Sequence, residues 1–434
     1  MPSQTALLPI LSVNFIGTLG YSIVMPFLIF LVVKFGGNSV IFGILGATYS
    51  AFQLVGAPIL GKYSDIYGRK PVLLISQIGT LLAWLLFLAA LVLPNISLWE
   101  INSAWLGEFT LSLPLIILFI GRALDGATGG NISVANAYLA DISNEENRKS
   151  NFGKMAASSN LGFIVGPVLA GLLGATALGE IAPTLAATLI SLLAVFVIIK
   201  MLPEHKPIKL SESPCINEKL RRTYGKEIKD CFEPQPKLNT IGEMLKISTM
   251  PLMLMLYFLI FLAFSLFYTA FPIHAASGLG WEISQLGIYF SVLSAVMIVV
   301  QGPLMGYLSP KVSEKPLIAI GSMFMFVSFA LLTSHNMIFI YAAAILFAVG
   351  NGIMWPSYLS LLGQTGNASD QGYIQGIASS AGSLASIFGL VVGGILYSLF
   401  SANSFVIAAS VFIVVFVLAM FLPQGANDQA SEKL

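Results

Sequence analysis

The chain has 434 residues, 56% of them hydrophobic and only 9% charged, where an ordinary soluble domain carries roughly 25% charged residues. That ratio excludes a fold whose main solvent is water. The formal net charge of +1 points to neither an acidic nor a basic partner, and no nucleic-acid partner is expected.

Apolar runs long enough to cross a bilayer, about 20 residues each, lie at 7–33, 40–60, 72–93, 113–139, 154–175, 182–202, 249–273, 284–307, 316–334, 337–362, 373–399 and 402–422. Twelve spans define an all-α membrane protein with both termini on one side. No Lys or Arg precedes the first run and Pro26 sits late inside it, so it reads as a span and not as a cleaved signal. Asn14, Thr18 and Tyr21 fall on one side of it. The loop after the second span contains Pro58, Gly61, Ser64, Asp65, Gly68, Arg69, Lys70 and Pro71. Between the third and fourth spans, a long 94–112 loop carries only Glu100 and Glu108 as charges.

The fourth span holds the only charges placed deep in the membrane. Counted from residue 113, Arg122 lies about 13 Å in at 1.5 Å per residue, close to the midplane of a core roughly 30 Å thick. A charge there costs several kcal/mol unless paired or wetted. Asp125, three residues later, is on nearly the same face. One reading is an ion pair that only fixes the helix; the other is a protonatable carboxylate lining a cavity, with the arginine tuning its proton affinity.

In the fifth span Gly162 and Gly166 form a small-residue stripe that permits close helix crossing, and Pro167 removes a backbone donor. A charged, proline-containing stretch at 204–248 then separates residues 1–203 from 249–434. Both cysteines, Cys215 and Cys231, fall in it, which fits a reducing compartment and suggests no disulfide. The seventh span carries Tyr257, Phe261, Phe264, Tyr268 and Phe271 at helical spacing, and the tenth carries Asn351, Trp355 and Tyr358. Such a set suits an amphipathic, aromatic-bearing solute, although aromatic stripes also serve packing and lipid contact. His274 stands near the end of the seventh span.

Of 21 Lys and Arg, Lys34 falls on the far side and Arg122 inside the membrane; the other nineteen cluster at alternate span ends, most densely in the linker. By the positive-inside rule those loops and both termini face the cytoplasm. The halves also repeat. Pro58/Pro303, Gly61/Gly306, Ser64/Ser309, Lys70/Lys315 and Pro71/Pro316 share one offset of 245, and Gly166/Gly389 and Gly171/Gly394 an offset of 223. Repeated halves with a substrate site between them mark secondary transporters.

The stretch Gly61-Lys-Tyr-Ser-Asp65-Ile-Tyr-Gly68-Arg69-Lys70 resembles the signature loop of the major facilitator superfamily. Arg122-Ala-Leu-Asp125-Gly126 resembles the family's fourth-span arginine motif, and Gly162-Phe-Ile-Val-Gly166-Pro167, with Gly171 beyond it, is similar to the motif of its proton-coupled exporters. The resemblance covers nearly the whole chain and is nearest to the twelve-span tetracycline and multidrug antiporters. It implies two pseudo-symmetric six-helix bundles, a cavity lined by the first, fourth, seventh and tenth spans, and a loop network that latches the halves in an outward-facing state. It further implies a monomer in the plasma (inner) membrane that moves a small solute with protons as the coupling partner. The chain departs from the antiporter pattern at Gly17, where an acid often stands, and in the third span, which has no carboxylate. Either Asp125 carries the coupling almost alone, or the protein is a facilitator.

No phosphate-cradling loop, metal-ligand spacing or nucleophile motif appears, so no enzyme activity, cofactor or metal is expected. A secondary exporter, an importer and a non-transporting receptor remain as function classes, with proton-coupled efflux foremost.

Overall fold

The computed structural model describes residues 3–24, 27–103, 105–129, 131–143, 145–204, 241–247, 249–309, 311–365 and 371–422. Pro26 and most of the expected linker, with Cys215 and Cys231, lie outside the described residues.

Among the described residues each apolar run is mostly helical. The first span is Ser3–Val24 followed by Leu28–Lys34, the second Ser39–Tyr67, the third Arg69–Val92, the fifth Glu145–Gly174 and the sixth Ile181–Met201. The second starts where the Asn38 side chain accepts from the Ile41 amide at 3.0 Å, a standard N-cap. It stops at Gly68, whose φ of +100° suits a residue without Cβ. The seventh span, Met250–Ile273, runs past Pro272 into a π-turn at His274–Gly278. A second π-turn, Val300–Leu304 around Pro303, interrupts the eighth between Ile283–Val299 and Met305–Leu308. The ninth, tenth, eleventh and twelfth are Glu314–Leu331, Met337–Gln364, Gln371–Phe400 and Ser404–Ala419.

The fourth span is not the continuous helix expected from its hydropathy. It is Leu113–Thr128 and then Asn131–Ile142, broken where the sequence reads Gly129-Gly130, each costing about 1 kcal/mol in a helix. Backbone groups released by a break must find partners inside the protein. The Thr128 carbonyl accepts from the Ser76 hydroxyl, and the Gly129 carbonyl from the Gln53 amide at 3.1 Å. Because both pieces are short, and because the last two spans run together as Gly376–Ala419, ten stretches among the described residues meet a length-and-hydropathy test for crossing a membrane. The helices are consistent with twelve passes.

One element departs from the all-helical expectation. The 94–112 loop is an antiparallel hairpin, β1 Ser97–Ser103 with β2 Gly107–Ser112. The Thr110 amide donates to the Gly36 carbonyl at 2.8 Å, and the Asn38 side chain donates to the Leu106 carbonyl at 2.7 Å, so the hairpin is fastened to the turn between the first two spans. It marks one end of the molecule, the hairpin end; residues 204 and 241 mark the other, the linker end.

In the first half the first span packs on the fifth and sixth, and the fourth on the second and third. The second half repeats this, with the seventh on the eleventh and twelfth and the ninth on the tenth. The halves meet through the second span against the eleventh and the fifth against the eighth. Glycines set these crossings. A Cβ on Gly171 would strike Gly287, and one on Gly394 would strike the Ser39 carbonyl, so backbone touches backbone at the hairpin end. At the linker end a Cβ on Gly61, Gly306 or Gly376 would meet nothing within 4 Å. The halves are therefore closed together at the hairpin end and apart at the linker end. Large apolar side chains such as Leu192, Phe196, Val406 and Phe421 are exposed on the outer faces, where only lipid gives them an apolar surrounding.

Candidate functional site

A cavity of about 250 Å³ lies between the halves. The first half supplies Thr18 and Tyr21, Tyr49 and Gln53, Thr80 and Trp84, and Asp125; the second supplies Tyr257 and Phe261 with a row of three serines, Ser379, Ser383 and Ser386.

Asp125 is the charged group of the lining. Its Oδ1 accepts from Thr80 Oγ1 at 2.9 Å, and its Oδ2 stands 3.9 Å from Arg122 Nη1. The pair is asymmetric: the Arg122 side chain is 2% exposed and that of Asp125 14%, so the carboxylate faces the cavity and the guanidinium sits behind it. Arg122 lies over the Tyr49 ring at 4.9 Å from the centroid, a cation–π contact. Its Nε and Nη2 have no hydrogen-bond partner among the described residues. At 3.9 Å the ion pair is longer than a charge-assisted hydrogen bond, which closes to about 2.7–2.9 Å.

The aromatic residues separate into wall and core. Tyr257 and Phe261 stack with centroids 4.8 Å apart and rings 1° from parallel, and the Trp355 ring stands edge-on to both at 5.3 Å. Tyr358 stacks on Trp355 and donates to the Met253 carbonyl at 2.6 Å, fixing the set from behind. Phe264 instead packs against Phe347 and Phe412, and Phe271 against Tyr289, in the apolar core of the second half. Tyr268 stacks on Phe290 outside the cavity lining. Asn351 is not in the lining either; its Nδ2 lies 3.9 Å from Met297 Sδ. Asn14 fastens the first span to the fifth through the Met155 carbonyl, Ser158 and Ser159, while Thr18, which donates to the Asn14 carbonyl at 2.5 Å, reaches the cavity. Spacing on one helix cannot separate these roles, because which neighbour covers each face is a tertiary fact.

Tyr49, Gln53, Thr80 and the serine row escaped the sequence reading. For the serines a signal existed, since positions 379, 383 and 386 recur at i, i+4 and i+7. Gly17, the position without an acid, does line the cavity.

The loop motif sits at the linker end. Arg69 is buried, with Nε 2.7 Å from Asp141 Oδ2 and Nη1 donating to Ser64 Oγ at 2.7 Å, so it ties the loop to the end of the fourth span within its own half. Lys70 donates to the Ile199 carbonyl at 3.0 Å. A Cβ on Gly68 would meet Glu204. A Cβ on Gly61 would meet nothing within 4 Å, and the Asp65 side chain lies outside the described residues. In the fifth span, Gly162 and Gly166 receive the first span at Thr18–Leu19 and Ser22–Ile23, and Ser22 donates to the Gly162 carbonyl at 2.8 Å. Pro167 lies within that helix, one turn before the Gly171 crossing.

Two half-bundles around a cavity with one carboxylate define a membrane transporter, not an enzyme. The sequence profile of the Major Facilitator Superfamily matches residues 10–302 and, again, 253–433, and the chain belongs to that family. It is 26% identical over 422 residues to the tetracycline resistance protein, class E, of Escherichia coli, covering 96% of this chain and 94% of that one. To multidrug resistance protein 2 of Bacillus subtilis it is 25% identical over 439 residues, covering 99% and 98%. Among solved structures, the D-xylose-proton symporter superposes with a TM-score of 0.70 at 15% identity, over 98% of each chain. The human organic anion transporter MFSD10 does so with a TM-score of 0.67 at 19% identity, over 96% of this chain and all of that one. At such identities these two neighbours speak for the fold alone.

Proposed function

We propose that this integral, multi-pass membrane protein exports a small amphipathic organic solute in exchange for protons, by alternating access between its halves. The observation that carries the proposal is Asp125: a carboxylate facing the cavity, backed by a buried arginine and held by Thr80. Such a group binds a proton or a solute according to which side of the membrane the cavity meets, and that difference is what couples the two fluxes. Paired Tyr257 and Phe261 rings opposite a hydroxyl-rich wall suit a solute with an aromatic body and polar edges. The resistance proteins among the relatives support export. The basic residues support a linker end and termini in the cytoplasm of a plasma membrane, and on that reading the conformation described above is inward-open. In it Arg69 pairs with Asp141 of its own half, which supports a loop latch that engages the second half only in the opposite state. The chain works as a monomer, because both halves of the cavity come from one chain.

The test is transport in proteoliposomes with an imposed pH gradient, following proton flux with a dye and solute with a radiolabel. Asp125→Asn keeps the shape and removes the titration, so gradient-driven accumulation should vanish while solute exchange persists. Unimpaired proton-driven transport by Asp125→Asn would assign the carboxylate a structural role. Gly17 in the lining favours one second reading, a facilitator or importer without proton antiport; under it the wild type shows no proton flux at all.

A further inference from the structure

Besides Arg122, one more basic side chain among the described residues has a buried nitrogen without a hydrogen-bond partner. His274 is 1% exposed, yet its Nε2 has no hydrogen-bond partner. It lies in the π-turn His274–Gly278 that closes the seventh span at the hairpin end; π-turns often accompany functional positions. Its Nδ1 is 3.1 Å from Tyr397 Oη at the end of the eleventh span. A Cβ on Gly278 would strike Nδ1, so the glycine keeps that side of the ring open for the tyrosine. Beside the ring stands His335, from the turn between the ninth and tenth spans, with ring centroids 5.6 Å apart and the rings 71° from parallel.

We propose that His274 and His335 form a binding site for a divalent transition-metal ion of the zinc type, open to the solution at the hairpin end. The idea goes beyond the transport reading and does not depend on it. Three features carry it. First, a metal-ligating histidine characteristically gives its second ring nitrogen to an oxygen partner, which fixes the tautomer; the 3.1 Å contact between Nδ1 and Tyr397 Oη accommodates the tautomer in which Nδ1–H donates and the lone pair of Nε2 is free. Second, the ring separation fits. With a Zn–N bond of about 2.1 Å, each centroid stands about 3.2 Å from the ion, and two rings at a tetrahedral angle then lie about 5 Å apart. Third, His335 is exposed, so an ion can arrive from solution and complete its coordination with water. Among the described residues no group of three His, Cys, Asp or Glu side chains converges; the site is a two-histidine one and of modest affinity. Imidazole selects zinc, copper or nickel over magnesium and calcium. The sequence conceals it, because the two histidines are separated by the whole eighth and ninth spans.

Occupancy would also reach the boundary between the halves. Tyr397, the partner of His274, lines a second cavity of about 350 Å³, between Val33 and Ser39 of the first half and Ile273 and Ser401 of the second. Because His274, His335 and Tyr397 all belong to the second half, an ion there stiffens the hairpin end of that half beside the boundary.

The experiment is calorimetric titration of the purified, tag-free chain with zinc chloride, with magnesium chloride as control, followed by X-ray absorption on the zinc-loaded protein. One zinc per chain, absent with magnesium, and a first shell containing two imidazoles are expected. His335→Asn, at an exposed position that leaves the packing intact, should weaken binding at least tenfold, as should His274→Asn. His205→Asn, which removes the chain's third histidine, should leave it unchanged. Equal zinc affinity in His335→Asn and wild type, or a first shell without two imidazoles, overturns the site.

Discussion

Arg122 and Asp125 are three residues apart on one helix, and the fold gives them different surroundings. The arginine is packed against Tyr49 with two of its nitrogens unpartnered among the described residues, whereas the carboxylate reaches the cavity and Thr80. Their substitutions should therefore differ. Arg122→Ala strands the carboxylate and removes a buried cation whose stem fills space, so it should lower thermal stability by up to about 3 kcal/mol, the lower end for a broken buried pair because Asp125 faces the cavity. Detergent-solubilised protein followed by a fluorescence melt measures it. Thr80→Val keeps the volume and deletes the hydrogen bond to Oδ1, which is worth about 1.5–3 kcal/mol when the acceptor is charged. It should leave folding intact and change the proton dependence of transport; an unaltered pH profile would detach Thr80 from the coupling.

At the scale of elements, the glycine crossings close the hairpin end, and the latch proposed for the loop motif would close the linker end. Gly171 and Gly287 let the fifth and eighth spans touch, so a side chain at either position must push the halves apart there. Gly171→Leu should raise the energy of the hairpin-closed state by about 1–3 kcal/mol, the usual cost of overpacking, and shift the population toward the linker-closed form by about 5- to 150-fold. Engineered cysteine pairs across each end report this by cross-linking, and unchanged cross-linking would mean that the helices tolerate the bulk. Asp65→Asn tests the opposite closure. With the latch weakened, the linker-closed population and transport should both fall while the protein still folds; full transport with unchanged cross-linking would leave the loop a topological role only. The same scale shows why the fourth span was misjudged from hydropathy: its apolar residues continue through Gly129-Gly130, and only the neighbouring Ser76 and Gln53 reveal that the backbone opens there.

For the whole molecule, orientation follows from charge. The hairpin bears only Glu100 and Glu108 as charges, while the chain's basic residues gather at the opposite end. A cysteine introduced at Asn102, which is exposed on β1, should react with an impermeant thiol reagent added to intact cells, and native Cys215 should not. Labelling of Cys215 from outside would invert the topology and with it the assignment of an inward-open state.

The sequence by itself determined the membrane class, the helical runs, the pseudo-repeat and the family, because each rests on local quantities: hydropathy summed over about 20 residues, loop charge and short motifs at fixed offsets. It also placed Asp125, since a carboxylate in a bilayer core is conspicuous in any context. The tertiary structure alone decided which polar and aromatic residues meet the cavity. Asn14 and Phe264 share helices and spacing with Thr18 and Phe261, yet the former pair faces a neighbouring span and the latter the gap between halves. It alone decided, too, which end is closed and that His274 meets His335. Helix periodicity fixes a residue's direction around its own axis, but what lies in that direction is set by long-range packing between helices, which one strand of sequence does not encode locally.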